Sequence, residues 1–290
     1  MLPKWGAVPL RDIDHAGVQA WVTWLYTDPA ARQRPAGRTD AVDSPQGLSS
    51  ARVIQAFQVL DQVLRYAVRS RYIATNPADD VEQPRKSSRE DIALTHGQVE
   101  RLAEARGDIR SMIYLLAYGG MRYGEVAALR VGDVNLQRRR IRVSRSVTYV
   151  AGRGYVEGPT KTHQTRTVPI LTEMLAGALA SVIGDRDPSE YLFPYHDGGP
   201  TPLDWFRWRF DQAAATAGLT GITPKTLRHT AGSLALASGA SVVTVQKLLG
   251  HRNATTTMNI YSHMLPDDFD NLAAAMDRAI SAGNHPVTRP

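Results

Sequence analysis

The segments TPKTLRHTAGSLA (223–235) and LLGHRNATTTMNIYSH (248–263) read as three helices separated by two breaks. Thr223 stands where an N-cap belongs and Pro224 where a first turn begins, so the helix predicted over 223–237 carries Lys225 and Arg228 in its opening turns. A second helix, 241–249, stops at Gly250, the residue type that closes helices in the left-handed conformation. His251 follows at once, and Tyr261 lies ten residues later on a short polar helix predicted over 255–264. Two further segments stand out, GGMRYGEVAALR (119–130) and GPTKTHQTRTVPI (158–170). In the first, Arg122 follows two glycines at a break between helices and precedes Glu125 by one turn; in the second, Lys161 sits on a hairpin loop.

Outward from these segments the hydrophobic pattern is mostly helical. Helices are predicted over 172–183 and 202–217, and Thr95 with Gln98 fits a capping box at the start of another. Ile109, Met112, Ile113 and Leu116 form the buried stripe of the helix that runs into Gly119-Gly120. Two short strands, 141–147 and 165–170, flank a turn containing Gly152 and Gly154. Upstream, Val18, Trp21, Val22 and Leu25 give one apolar helix face between Asp14 and Tyr26. A polar loop, 28–47, leads to a long helix capped by Ser49 or Ser50, carrying Val53, Phe57, Leu60, Leu64 and Ala67 and stopping before Asn76-Pro77. The polar stretch 81–91 shows no hydrophobic period and reads as a linker. A last amphipathic helix, 266–280, carries Phe269, Leu272, Met276 and Ala279; it either packs on its own domain or docks on a neighbouring protomer. The expected fold is mainly α with a small antiparallel sheet, divided into residues 1–84, a linker 85–91 and residues 92–290.

Composition removes several classes of chemistry. The 290 residues include no cysteine, which excludes disulfide frameworks, thiolate metal sites and catalytic thiols. No apolar run reaches the roughly 18–20 residues that span a bilayer, and the first ten residues lack the pattern of an export signal. The expectation is a cytoplasmic protein with no membrane partner. Net charge is +6, but residues 130–166 alone hold nine basic residues against Asp133 and Glu157. Arg138, Arg139, Arg140, Arg145 and Arg166 are therefore candidates for contacting nucleic-acid phosphates, with a solvated hairpin face as the alternative. No cluster has metal-ligand spacing, and neither a metal nor an organic cofactor is expected.

Taken singly, each candidate has an ordinary structural explanation. Arg122 and Glu125 at i, i+3 would be a surface ion pair, and Lys161 a solvated loop residue. Tyr261 would be half-buried packing, and His251 a partner for helix-terminal carbonyls. Together and in this order, they resemble the tyrosine recombinase (phage integrase) family. Gly120-Met121-Arg122-Tyr123-Gly124-Glu125 is similar to its first box. Lys225-Thr226-Leu227-Arg228-His229-Thr230, then Leu249-Gly250-His251, Thr256-Thr257, Tyr261 and His263, is similar to its second. Lys161 ahead of Arg166-Thr167-Val168-Pro169 also fits, and the upstream helices, ending in Asn76-Pro77-Ala78, look like a helical, SAM-like core-binding domain.

The resemblance implies a site-specific recombinase that binds core-type sites in double-stranded DNA, clamped by two domains in a C shape. Tyr261 would attack a phosphodiester and form a 3′-phosphotyrosyl link, with strand exchange through a Holliday junction in a homotetramer. Arg122 and Arg228 would grip the non-bridging oxygens, His251 would hydrogen-bond the phosphate, and Lys161 would protonate the departing 5′ oxygen. Glu125 would orient Arg122 rather than touch DNA. A phage role would place the protein in a bacterial host cytoplasm, with a directionality factor as a further partner. The core-binding pattern begins around residues 6–13, so the resemblance is to an actinobacteriophage-type integrase without the N-terminal arm-binding domain, natural or cut to its last two domains.

One position departs from the family pattern. Lys225 stands where the family has a histidine; lysine can bond phosphate but accepts a proton poorly unless its surroundings lower its pKa. This leaves open a slower enzyme or a catalytically idle DNA-binding descendant, besides a Xer-like or transposon-borne recombinase with the same chemistry. A type IB topoisomerase shares much of that chemistry, but the upstream domain argues against it. Of the other histidines, His229 points about a hundred degrees from Arg228 around the helix and is expected to pack; His163 is read as solvated and His263 as structural.

Overall fold

The computed structural model describes residues 2–32, 47–85, 92–160 and 165–261, together with 273, 274, 276–278 and 280. Two compact units divide the chain at 90/91. In the first unit, α1 (Leu2–Trp5), α2 (His15–Thr27) and α3 (Ser50–Arg69) enclose a core of Trp5, Val18, Trp21, Val22, Val53, Phe57, Leu60 and Leu64. The Asp14 carboxylate accepts from the Gly17 amide at 2.8 Å, satisfying one of the orphan donors at the start of α2. α3 ends earlier than its pattern predicts, at Ser70, because Arg71 adopts φ 60° and breaks the ladder. Asn76 then forms a turn of its own, accepting from the Ala78 amide at 3.0 Å and donating to Asp61 on α3 at 2.8 Å. Residues 81–85, predicted as linker, lie along α2: the Gln19 side chain makes paired bonds to the Glu82 backbone at 2.9 and 3.2 Å, and Val81 is buried. Residues 86–91 lie outside the described set.

The second unit is built around α5 (Arg110–Gly119). Every residue from Ser111 to Gly119 is buried, so the one-sided stripe read from the sequence underestimates a helix covered all round. It packs against α4 (His96–Glu104), α6 (Tyr123–Ala127), α7 (Glu173–Ile183) and α9 (Pro224–Ala237). The Thr95–Gln98 capping box is formed as expected. α8 (Leu203–Thr216) contributes Phe206 and Phe210 to the same core; α10 (Val242–Leu249) and α11 (Ala254–Tyr261) follow.

The strands differ from expectation. Two were predicted; among the described residues five form, in two antiparallel sheets. β1 (Val134–Asn135), β2 (Arg140–Val143) and β5 (Arg166–Pro169) make one sheet in the order β1-β2-β5. β3 (Arg145–Val150) and β4 (Gly154–Pro159) make a hairpin between β2 and β5, with Gly152 and Gly154 at its turn. The predicted strand 141–147 is thus broken at Ser144; Lys161, predicted on a hairpin loop, lies outside the described residues. Among the described residues, no helix is long and apolar enough to cross a membrane. Of the predicted final helix, residues 273, 274, 276–278 and 280 are helical and exposed; Phe269, Leu272 and Ala279 lie outside the described residues.

Candidate active site

Arg122 is the N-cap residue of α6, and Glu125 is its third helical residue, a spacing that lets a carboxylate turn back on the cap. Glu125 accepts the Arg122 backbone N–H at 2.8 Å and the Arg122 guanidinium at 3.0 Å. Arg166, at the start of β5, donates two parallel bonds to the same carboxylate at 2.8 and 2.7 Å. Glu125 is 1% exposed, so this is a buried cluster and not the surface pair suggested by the i, i+3 spacing. Burial alone would raise the Glu125 carboxyl, but the bonds and charge of Arg166, then those of Arg122, outweigh it and hold it below the ordinary glutamate range.

Arg228, on the second turn of α9, ties three segments together. Its guanidinium donates to the carbonyl of Gly120, where α5 ends, and at 2.5 Å to the carbonyl of Leu249, the last residue of α10. Both acceptors are helix C-terminal carbonyls, which lack intrahelical partners and carry the negative end of the helix dipole. Arg122 is two residues beyond the first carbonyl and His251 two beyond the second. Burial, followed by the charge of Arg122, pushes the Arg228 guanidinium down to about 9, leaving it charged at neutral pH. Arg122 and Arg228 thus act on one another near the Glu125 carboxylate, which is already committed to Arg122 and Arg166.

His251 is half-buried and bonded through Nδ1 to the Thr257 hydroxyl at 2.8 Å. Burial first, then the charges of Arg228 and Arg122, lower it to about 4, so it is neutral at pH 7. Thr257, fully buried, had been only a letter in a motif; its place six residues after the histidine was the available signal. Tyr261, the last residue of α11, is 3% exposed and donates to the His229 carbonyl on α9 at 3.3 Å. Its ring lies where a side chain at residue 232 would be: a Cβ on Gly232 would stand 2.2 Å from the hydroxyl oxygen. Gly232 was missed at the sequence level because nothing local marks a glycine inside a helix as a seat for a distant ring. His229 also packs, its ring centroid 6.5 Å from that of Tyr261.

Lys225 is exposed and shares with Arg122, Arg228, Asp204 and Arg207 the lining of a cleft of about 540 Å³. Lys161, His163 and His263 lie outside the described residues. Among the described residues, no group of three or more His, Asp or Glu side chains could hold a metal ion.

The basic stretch 130–166 is partly paired in the folded unit. Arg138 and Arg140 are exposed, as a nucleic-acid contact requires. Arg139 pairs with Glu173, and Arg145 with Asp133 and, at 3.8 Å, with Glu157. Arg166 is 12% exposed and committed to Glu125. Of its nine basic residues, Arg130, Arg139, Arg145 and Arg166 are held in ion pairs, two of them with acids outside the stretch, Glu173 and Glu125.

Residues 93–267 match the phage integrase family; the chain belongs to that family and is a tyrosine-type site-specific DNA recombinase. It is 24% identical to the prophage integrase IntR of Escherichia coli K12 over 275 residues, which cover 84% of this chain and 66% of that relative. It is 29% identical over 256 residues to the tyrosine recombinase XerD of Pseudomonas aeruginosa PAO1, covering 83% of this chain and 78% of XerD. The fold resembles that of the Tn1549 transposon integrase in complex with transposon right end DNA, with a TM-score of 0.75, 21% identity, and 96% and 89% of the two chains covered.

Proposed function

We propose that the protein integrates and excises a phage genome by cutting core-type DNA sites with Tyr261. The Tyr261 hydroxyl attacks phosphorus and releases its proton to water, the bond to the 5′ oxygen breaks, and a 3′-phosphotyrosyl ester retains the energy needed for rejoining. The observation that carries this reading is the Arg228 bridge, which joins the segments bearing Arg122 and His251 beside the helix on which Tyr261 rests. Arg122 and Arg228 bind the non-bridging oxygens and stabilise charge as it develops in the transition state. The neutral His251 hydrogen-bonds the phosphate, and Lys161 gives a proton to the departing 5′ oxygen. Lys225 bonds phosphate at the rim of the cleft, in place of the family histidine. The first unit, about residues 1–84, binds the core site, and Arg138 and Arg140 add phosphate contacts. Synapsis assembles four copies on two duplexes, and a directionality factor sets whether integration or excision prevails.

Incubation with a nicked core-site duplex tests the chemistry. A covalent protein–DNA adduct is expected from the wild-type protein and not from Tyr261→Phe. An adduct that persists in Tyr261→Phe would move the nucleophile elsewhere, and failure of the wild-type protein to form one on its own site would favour a binding role.

A further inference from the structure

We infer that Arg166 is a positioning residue for Arg122: it fixes the Glu125 carboxylate that holds Arg122, and it makes no contact with DNA. The inference rests on the reading of Arg122 as a phosphate ligand. Both oxygens of Glu125 are shared, each taking one bond from Arg166 and one from Arg122, at 2.7 to 3.0 Å. The Arg166 fork occupies both terminal nitrogens, and a planar guanidinium matched to a carboxylate in this way sets the carboxylate's orientation. Charge arithmetic gives the reason for two arginines. Glu125 with Arg122 alone would be a neutral pair, and the carboxylate would offset the charge that Arg122 offers a phosphate. Arg166 supplies a second positive charge to the same buried acid, so the triad keeps a net charge of +1 with Arg122 as its more exposed arginine, 28% against 12%.

A second observation is independent of the ion pair. Gly250 adopts φ +64°, and a Cβ there would stand 2.8 Å from both Cδ and Nε of Arg166. The Arg166 side chain therefore runs directly against the turn that presents His251, in space available only beside a glycine. One side chain on β5 braces both the Arg122 box and the His251 turn. Arg166 also begins the strand that follows the Lys161 segment.

The test compares Arg166→Gln and Arg166→Lys with the wild-type chain in three measurements. These are core-site affinity across a salt series, single-turnover adduct formation at saturating nicked DNA, and the rate coupling to Arg122→Lys. A positioning role predicts that Arg166→Gln slows adduct formation at least tenfold, while affinity stays within twofold and the salt slope is unchanged. Arg166→Lys recovers part of the rate, since it keeps the charge but cannot span both oxygens. The double variant with Arg122→Lys is slower by less than the product of the single effects, because both act through one carboxylate. A direct phosphate contact would instead weaken binding and reduce the salt slope by about one, with the rate at saturation unchanged; that result overturns the inference. So does an unchanged rate, or a fully multiplicative double variant. Should Arg166→Gln not fold, the same criteria apply to Arg166→Lys. Absence of an adduct from the wild-type chain would instead overturn the Tyr261 chemistry.

Discussion

Two separable interactions among those that hold Tyr261 are the fit of its ring against Gly232 and the bond from its hydroxyl to the His229 carbonyl. Tyr261→Phe keeps the first and removes the second, a long bond at 3.3 Å whose loss is expected to cost less than about 1 kcal/mol, while abolishing the adduct. Gly232→Ala places a methyl group inside the ring's own volume, and overpacking of that kind costs about 1–3 kcal/mol. Urea unfolding of the two variants checks this ranking; a Gly232→Ala protein as stable as wild type would mean the ring is not seated there. His251 gives a pH prediction with a definite sign. Its folded-state value, about 4, lies below the ordinary 6.5, so the unfolded chain takes up the proton first as pH falls. The stability linked to neutral His251 is complete above about pH 6.5 and is lost progressively down to about pH 4. In His251→Asn that component disappears. Unfolding free energies of both proteins measured from pH 7 to pH 4 should therefore converge as the pH drops, and parallel curves would show that His251 does not titrate in this way.

At the level of elements, Thr230 joins α9 to the chain entering α4. Its buried hydroxyl accepts from the Leu94 amide at 3.0 Å and donates to the Thr226 carbonyl at 3.0 Å. Thr230→Val keeps the shape and strands the Leu94 N–H away from water, at a cost of about 1–3 kcal/mol. Thr230→Ser keeps the bond, so a thermal midpoint much closer to wild type than that of the valine variant is expected; equal losses would assign the effect to packing. The helices were legible in sequence because their signals are local. Asp14, Thr95, Thr172 and Ser241 each cap a helix within a few residues of where the pattern begins. The strands were not, for two reasons. β4 is largely exposed and shows no alternation, and β2 pairs with β5 across an intervening hairpin, so its register is set by residues more than twenty positions away. The same distance hid the arginine partners: Arg166 and Glu125 are 41 residues apart, and no local pattern foretells a pair that only the folded sheet creates. By contrast, the order of the boxes around Arg122, Arg228, His251 and Tyr261 was visible in sequence; the Arg228 bridge that joins them required the fold.

For the whole molecule, the question is how a chain with a net charge of only +6 engages a polyanion. Each unit has its own hydrophobic core, so residues 91–290 are expected to unfold cooperatively as an isolated fragment. Within that unit Arg130, Arg139, Arg145 and Arg166 of the basic stretch are spent on internal ion pairs, leaving Arg138, Arg140, Arg142 and Arg153 exposed in addition to the cleft arginines. The salt dependence of that fragment's binding to DNA counts the phosphates these cations neutralise. The first unit carries Arg52, Arg69 and Arg71, which make no salt bridge among its described residues, and if it binds the core site its phosphate contacts add to the total. The logarithm of the binding constant for the full chain should then fall more steeply with the logarithm of salt concentration than that of residues 91–290, by about 0.9 for each additional phosphate neutralised. Fluorescence anisotropy on one core-site duplex, with both proteins titrated from low to physiological salt, measures the two slopes. Equal slopes would assign the electrostatic grip to the second unit alone, and would leave the first unit to act through base contacts or protein contacts.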